Sequence, residues 1–232
     1  MKIAVVIPAY NEQDYLPACL SALDLAIKQV DDPNLQIEVV LVLDSCTDHS
    51  QQRVEQLKPS LSFKLNVLVC QFECVGAVRH FGVQHCIAQG YEWIACTDAD
   101  SQVDTAWLVQ QLSCQPIDLI CGVVEVDDWQ HLSQSAQAKY QAHYQDKMGH
   151  SHIHGANLSF SVTAYQRTSG FKALCSHEDV DLVQQMQGLG LNILWSNKIR
   201  VKTSSRLNAK TPEGFSYFLK TLESETKPLD AS

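Results

Sequence analysis

Apolar positions along the first hundred residues fall into two rhythms that take turns. Residues 3–7 (Ile3, Ala4, Val5, Val6, Ile7) form a short unbroken apolar run closed by Pro8, which predicts a buried strand. Leu16, Leu20, Leu23 and Ile27 then recur at helical spacing and predict an amphipathic helix over about 12–29. Asp31-Asp32-Pro33-Asn34 makes a turn, and residues 37–43 read as a second buried strand. Thr47 or Asp48 can cap a helix running toward Leu57, with Pro59 just past it. Residues 64–69 give a third strand. A helix over about 76–88 closes on Gly90, and residues 93–97 form a fourth strand that ends in Asp98-Ala99-Asp100.

Strand and helix alternating in this way imply a mostly parallel sheet with helices on both faces. Ligands of such sheets bind outside the carboxyl ends of the strands. The polar clusters lie there: Ala9-Tyr10-Asn11-Glu12 after the first strand, residues 44–48 after the second, and Asp98-Ala99-Asp100 after the fourth. The second half is less regular. Residues 118–126 read as a strand, and Leu132, Ala136, Tyr140, Tyr144 and Met148 repeat every four residues as one helix. A strand over 158–162, a short helix before Gly170, a helix from Glu178 to about Leu189, and strands over 193–196 and 200–203 follow. Neither an internal repeat nor a low-complexity linker divides the chain, so one domain over 1–232 is expected, with a polar, frayed tail from about 213.

Composition narrows the function classes. A chain of 232 residues with 45% hydrophobic and 19% charged residues builds a sizeable core and is not of the disordered class. Its net charge of -9 shows no basic face for nucleic acid, so a phosphate ligand must be met by a few local groups or a metal. The nine cysteines are odd in number and form no CxxC pair, which reads as reduced core thiols in a cytoplasmic protein. The opening apolar run is too short for a signal peptide, and no stretch approaches the ~18 apolar residues of a transmembrane helix. A soluble chain is expected.

Asp98 and Asp100 place two carboxylates two apart at a strand end. That donor set suits a hard cation such as Mg²⁺ or Mn²⁺, which takes one or two carboxylates plus substrate phosphates. Glu178 and Asp179 open a helix, where a carboxylate can cap the backbone or serve as a general base. Asp179 is assigned the chemistry, and Glu178 or His177 the structural duty. Asp44 can accept hydrogen bonds from a nucleotide base or cap a turn. Arg79, one turn into its helix, can pair with phosphate oxygens or with a structural acid. His152 and His154 share a face if the segment is extended. They suit an acceptor contact or a loop hydrogen bond better than a metal pair, since no third ligand is evident.

Six segments in order carry a resemblance: residues 6–12, 43–50, 76–82, 97–100, Gly155-Ala156-Asn157 with Gly170-Phe171, and 178–182. Together they resemble glycosyltransferase family 2, over roughly residues 3–190. The resemblance implies a GT-A fold and an inverting, metal-dependent transfer from a UDP- or GDP-linked sugar to a hydroxyl acceptor. It implies that Pro8, Ala9, Tyr10, Glu12 and Asp44 hold the nucleoside, with Arg79 near the base or diphosphate. Asp98 and Asp100 would bind nucleotide and metal, Asp100 directly. Gly155, Ala156 and Asn157, with His154 and Glu178, would border the sugar and acceptor, and Asp179 would be the base.

The chain departs from the family pattern in four places. The second motif has one acid and no glycine (Leu43-Asp44-Ser45). His80 stands where an asparagine often follows the arginine. No histidine follows His177, and no Gln-x-x-Arg-Trp motif is present, so a processive polysaccharide synthase is not expected. Two other classes compete. A sugar-phosphate nucleotidyltransferase would usually carry a Gly-rich basic loop after the first strand, and residues 9–12 contain neither Gly nor Lys nor Arg. A non-catalytic nucleotide-sugar-binding protein would not need Asp98, Asp100 and Asp179 intact. A dehydrogenase is disfavoured because no GxGxxG follows a strand.

Overall fold

In the computed structural model, which describes residues 1–126, 129, 132–206 and 215–224, alternate side chains of the first strands enter two different cores. In β1 (Lys2–Ala9), Ile3, Val5 and Ile7 face one core, and Ala4 and Val6 the other. β2 (Gln36–Asp44) divides in the same way, Val39, Leu41 and Leu43 against Val40 and Val42. Both faces are apolar because both are covered by helices, as a parallel sheet requires. α1 (Leu16–Lys28), α2 (Ser50–Leu57) and α4 (Trp107–Ser113) pack on the first face. α3 (Val75–Ala88), α6 (Val162–Tyr165) and α7 (Glu178–Gly188) pack on the second. Gly82 lets α3 lie close: a Cβ there would sit 2.7 Å from a methyl of Val6 and 3.0 Å from one of Val42.

The remaining strands are β3 (Lys64–Cys70), β4 (Trp93–Cys96), β5 (Ser101–Val103), β6 (Leu119–Val126), β7 (Leu158–Ser161) and β8 (Ile193–Thr203). The sheet runs β3-β2-β1-β4-β7-β6-β8-β5. The β3-β2-β1-β4 half is parallel, as is the β6–β8 pair, whereas β7 is antiparallel to β4 and β6, and β5 is antiparallel to β8. The predicted strands over 193–196 and 200–203 are one strand. The polar residues between them sit at a register shift opposite Gly122 and Val123 of β6.

One expectation fails in the second half, and two elements before it were not read from the sequence. The helix read from Leu132 to Met148 is shorter: α5 (Gln134–His143) stops where Tyr144 becomes extended. Tyr144 leaves the helix to stack on His152, 4.1 Å between ring centres, while its hydroxyl accepts from Val124 N and contacts His154 Nε2. β5 and α4 had no signal in the hydrophobic pattern. The tail expected from about 213 lies partly outside the described residues, but α8 (Phe215–Ser224) falls within it and is helical. Leu219 and Leu222 explain this, because they pack against Tyr140 of α5 and Val126 of β6.

Candidate active site

A cavity of about 1200 Å³ opens at the carboxyl ends of β1, β2 and β4. Pro8, Ala9, Tyr10, Glu12 and Asp44 line one side, Asp98 and Asp100 the next, and His154, Gly155, Ala156, Glu178 and Asp179 another. The loops that hold them are tied to one another. Asn11, at φ 53°, accepts from the backbone N–H of Thr47 and Asp48 through its side-chain oxygen, joining the loops after β1 and β2. Ser45, Glu73 and His177 are the other non-glycine residues at positive φ among the described residues. Glu73 and His177 themselves line the cavity. Held strain of this kind gathers where a surrounding structure fixes a functional loop.

Arg79 is 2% exposed and spans the site from α3. Its Nη2 donates to Asp98 Oδ1 at 2.5 Å and its Nε to Glu178 Oε1 at 3.0 Å. Burial alone would lower its pKa, but the two carboxylates more than offset that and hold it fully charged. Its place is therefore between two acids of the protein, at the lining of the cavity, with its Nη1 buried and without a hydrogen-bond partner among the described residues. Gly155 exists beside it for want of room, since a Cβ there would lie 2.6 Å from Arg79 Nη2.

Asp179 is the second residue of α7, next to that pair. One oxygen accepts the Gly155 N–H at 2.6 Å and the other the N–H of Val180 at 2.8 Å. Burial raises its pKa, against the lowering pull of Arg79 and the two backbone donors. Burial raises that of Glu178 as well. A carboxylate with a raised pKa is a stronger base than a free one, and the two N–H bonds fix its direction.

Other expectations change once side chains are placed. Asn157 does not border the cavity. It is 1% exposed, with its Nδ2 donating to the carbonyls of Val123 and Ile199 and its Oδ1 accepting from Trp107 Nε1. It ties the β6–β8 irregularity to α4. Asp44 is buried and accepts from Phe72 N at 2.7 Å, so it shapes the rim as well as lining it. His152 and His154 lie in a stack with Tyr144, and among the described residues no group of three His, Cys, Asp or Glu could hold a metal by itself. Burial pushes His154 down to about 3, so it is neutral, with its Nε2 3.2 Å from the Tyr144 hydroxyl.

One participant was invisible in the sequence. Arg206, just beyond β8, bonds both oxygens of Glu12 (2.7 and 2.8 Å) and reaches Asp100 Oδ2 at 2.9 Å. Its guanidinium also lies over Tyr15. A single arginine in a polar stretch has no spacing or neighbour to mark it. Asp98 and Asp100 thus each have a carboxylate oxygen on an arginine. Their oxygen chemistry still fits a divalent cation that draws its other ligands from a diphosphate and water.

Residues 4–159 match the family described as Glycosyl transferase family 2. The chain belongs to that family. A segment of 104 residues is 32% identical to a poly(ribitol-phosphate) beta-N-acetylglucosaminyltransferase, TarS, of Staphylococcus aureus, covering 45% of this chain and 17% of the relative. The chain is thus far shorter than the curated relative it matches. In three dimensions it is similar to TarS residues 1–349 in complex with UDP-GlcNAc, with a TM-score of 0.70, 17% identity, and coverage of 97% of this chain and 66% of that one. It is also similar to the mannosyltransferase PcManGT of Pyrobaculum calidifontis in complex with GDP-Man and Mn²⁺, with a TM-score of 0.60, 17% identity, and coverage of 96% and 61%. A third likeness is glucosyl-3-phosphoglycerate synthase of Mycobacterium tuberculosis with Mg²⁺ and UDP, at TM-score 0.58, 17% identity, and coverage of 88% and 72%. The α/β architecture is that of GT-A glycosyltransferases. Among the described residues no helix is long and apolar enough to cross a membrane.

Proposed function

We propose that this family 2 chain transfers a sugar from a nucleoside-diphosphate donor to a hydroxyl acceptor with inversion, using a divalent cation and Asp179 as general base. The observation that carries the reading is that Asp179, oriented by two backbone N–H groups, lines the same cavity as the Asp98 and Asp100 pair. The loop of Pro8, Ala9, Tyr10 and Glu12, with Asp44, receives the nucleoside. Asp98 and Asp100 face the diphosphate. Gly155, Ala156, His154 and Glu178 border the sugar and acceptor. When bound, Mg²⁺ or Mn²⁺ on Asp100 neutralises charge on the departing diphosphate. Asp179 takes the proton of the acceptor hydroxyl as its oxygen bonds to the anomeric carbon and the bond to the diphosphate breaks. One displacement inverts that carbon.

Similar solved structures hold UDP-GlcNAc, UDP and GDP-Man, which supports a UDP- or GDP-linked donor. The nine free thiols fit a reducing cytoplasm. The test is a thermal-shift screen of UDP- and GDP-sugars with and without Mn²⁺, followed by NMR of the product. A donor that stabilises the chain only with the cation, and a product of opposite anomeric configuration, are expected. Retention at the anomeric carbon, or donor binding indifferent to the cation, sinks the mechanism.

A further inference from the structure

Arg206 puts a positive charge where a positive charge is expected to arrive. Its guanidinium joins three strand ends: Glu12 after β1, Asp100 after β4, and itself after β8. Two of the three contacts go to Glu12, which is 5% exposed and brings both oxygens to the fork. The third, from Nη2, reaches Asp100 Oδ2 at 2.9 Å, the carboxylate to which the proposed function assigns the cation. A guanidinium and a dication cannot share one carboxylate at contact distance without strong repulsion in so enclosed a site. A dication would be the stronger partner for Asp100, and Arg206 would keep its two bonds to Glu12.

We propose that Arg206 is an internal counter-ion of Asp100, that it yields this carboxylate to the divalent cation entering with the donor, and that its guanidinium charge then serves the diphosphate. The inference rests on the donor-site reading above. It gives Arg206 two duties, suppressing cation binding without nucleotide and adding affinity for nucleotide once the cation is present. Glu12 keeps the guanidinium in the cavity between them.

The experiment is a Mn²⁺ titration followed by electron paramagnetic resonance, without nucleotide, on wild type, Arg206→Gln, Arg206→Lys and the double variant Arg206→Gln/Asp100→Asn. Arg206→Gln is expected to bind Mn²⁺ about tenfold tighter than wild type, the range of an ordinary coupling between two sites. Arg206→Lys keeps the charge and should stay near wild type, which separates charge from any effect on folding. Adding Asp100→Asn should abolish the gain. Calorimetry with UDP and GDP at saturating Mn²⁺ should then show Arg206→Gln weakened by about tenfold. Equal or weaker Mn²⁺ binding by Arg206→Gln overturns the counter-ion role, and unchanged nucleotide affinity overturns the transfer to the diphosphate. If wild type binds neither UDP nor GDP with or without Mn²⁺, the donor-site reading itself falls and takes this inference with it.

Discussion

A guanidinium as deeply buried as that of Arg79 has to be answered by charge, and Asp98 and Glu178 answer it. Removing it leaves two acids facing each other in a low-dielectric site. Arg79→Ala should lower unfolding free energy by about 3–5 kcal/mol, measured by urea denaturation, since breaking one member of a buried ionic cluster strands the others. Arg79→Lys should recover little, because an ammonium cannot replace two divergent N–H bonds. Asp179 makes a prediction of a different kind. Asp179→Asn keeps its size and removes its basicity, so kcat should fall by ~10²- to 10⁴-fold with little change in donor affinity. As the proposed general base Asp179 would act in its ionised form, and burial raises its pKa, so kcat should climb with pH through a midpoint above the ordinary Asp value of about 3.9. The acid limb should be absent from the residual activity of Asp179→Asn. The same shift has a consequence for folding. The protonated form favours the native state below the ordinary carboxylate pKa, and that contribution is lost as pH rises through the raised one.

Between elements, small or fully bonded residues set the spacing. Gly76, at the start of α3, lies under the 172–178 loop, where a Cβ would overlap the Lys172 carbonyl and come within 2.9 Å of that of Leu174. Gly76→Ala must push that loop outward, and Asp179 follows the loop. A cost of about 1–3 kcal/mol in thermal or urea unfolding is expected, with a larger loss in kcat than in donor affinity. The first half of the sheet was legible because its strands alternate between two apolar cores and its helices carry three- and four-residue spacings, as at Leu16, Leu20 and Leu23. The second half was harder for local reasons. β5 is three residues long and rests on pairing with β8, and polar Ser196, Asn197 and Lys198 hide the continuity of β8. Tyr144 keeps the helical period of α5 while its backbone has left the helix. Within the site, the carboxylates at strand and helix ends could be found by position. The duties of Arg79 and Asn157 could not, because they depend on partners as far away as Glu178 and Ile199.

For the whole molecule, binding should be visible as stability. A nucleotide sugar with its cation at one hundred times its dissociation constant adds about 2.7 kcal/mol. In a chain of this size that raises Tm by about 5–10 °C. Chelation by EDTA should return the melting curve to that of the unliganded protein, and a shift that survives EDTA would count against cation-coupled binding. The Glu12–Arg206 pair bears on another property, since it joins residues 194 positions apart. A polypeptide leaves the ribosome from its amino end, and its early parts can settle before the later ones exist. Glu12 and Asp100 emerge long before Arg206, and Glu178 and Asp179 arrive between them. Until residue 206 is made, the donor side presents acids without that cation, a poor match for a diphosphate. By the reading proposed above, the donor side is completed only when nearly all of the described chain has been translated. A message cut short upstream of that codon is expected to yield a product with weaker affinity for a nucleoside diphosphate.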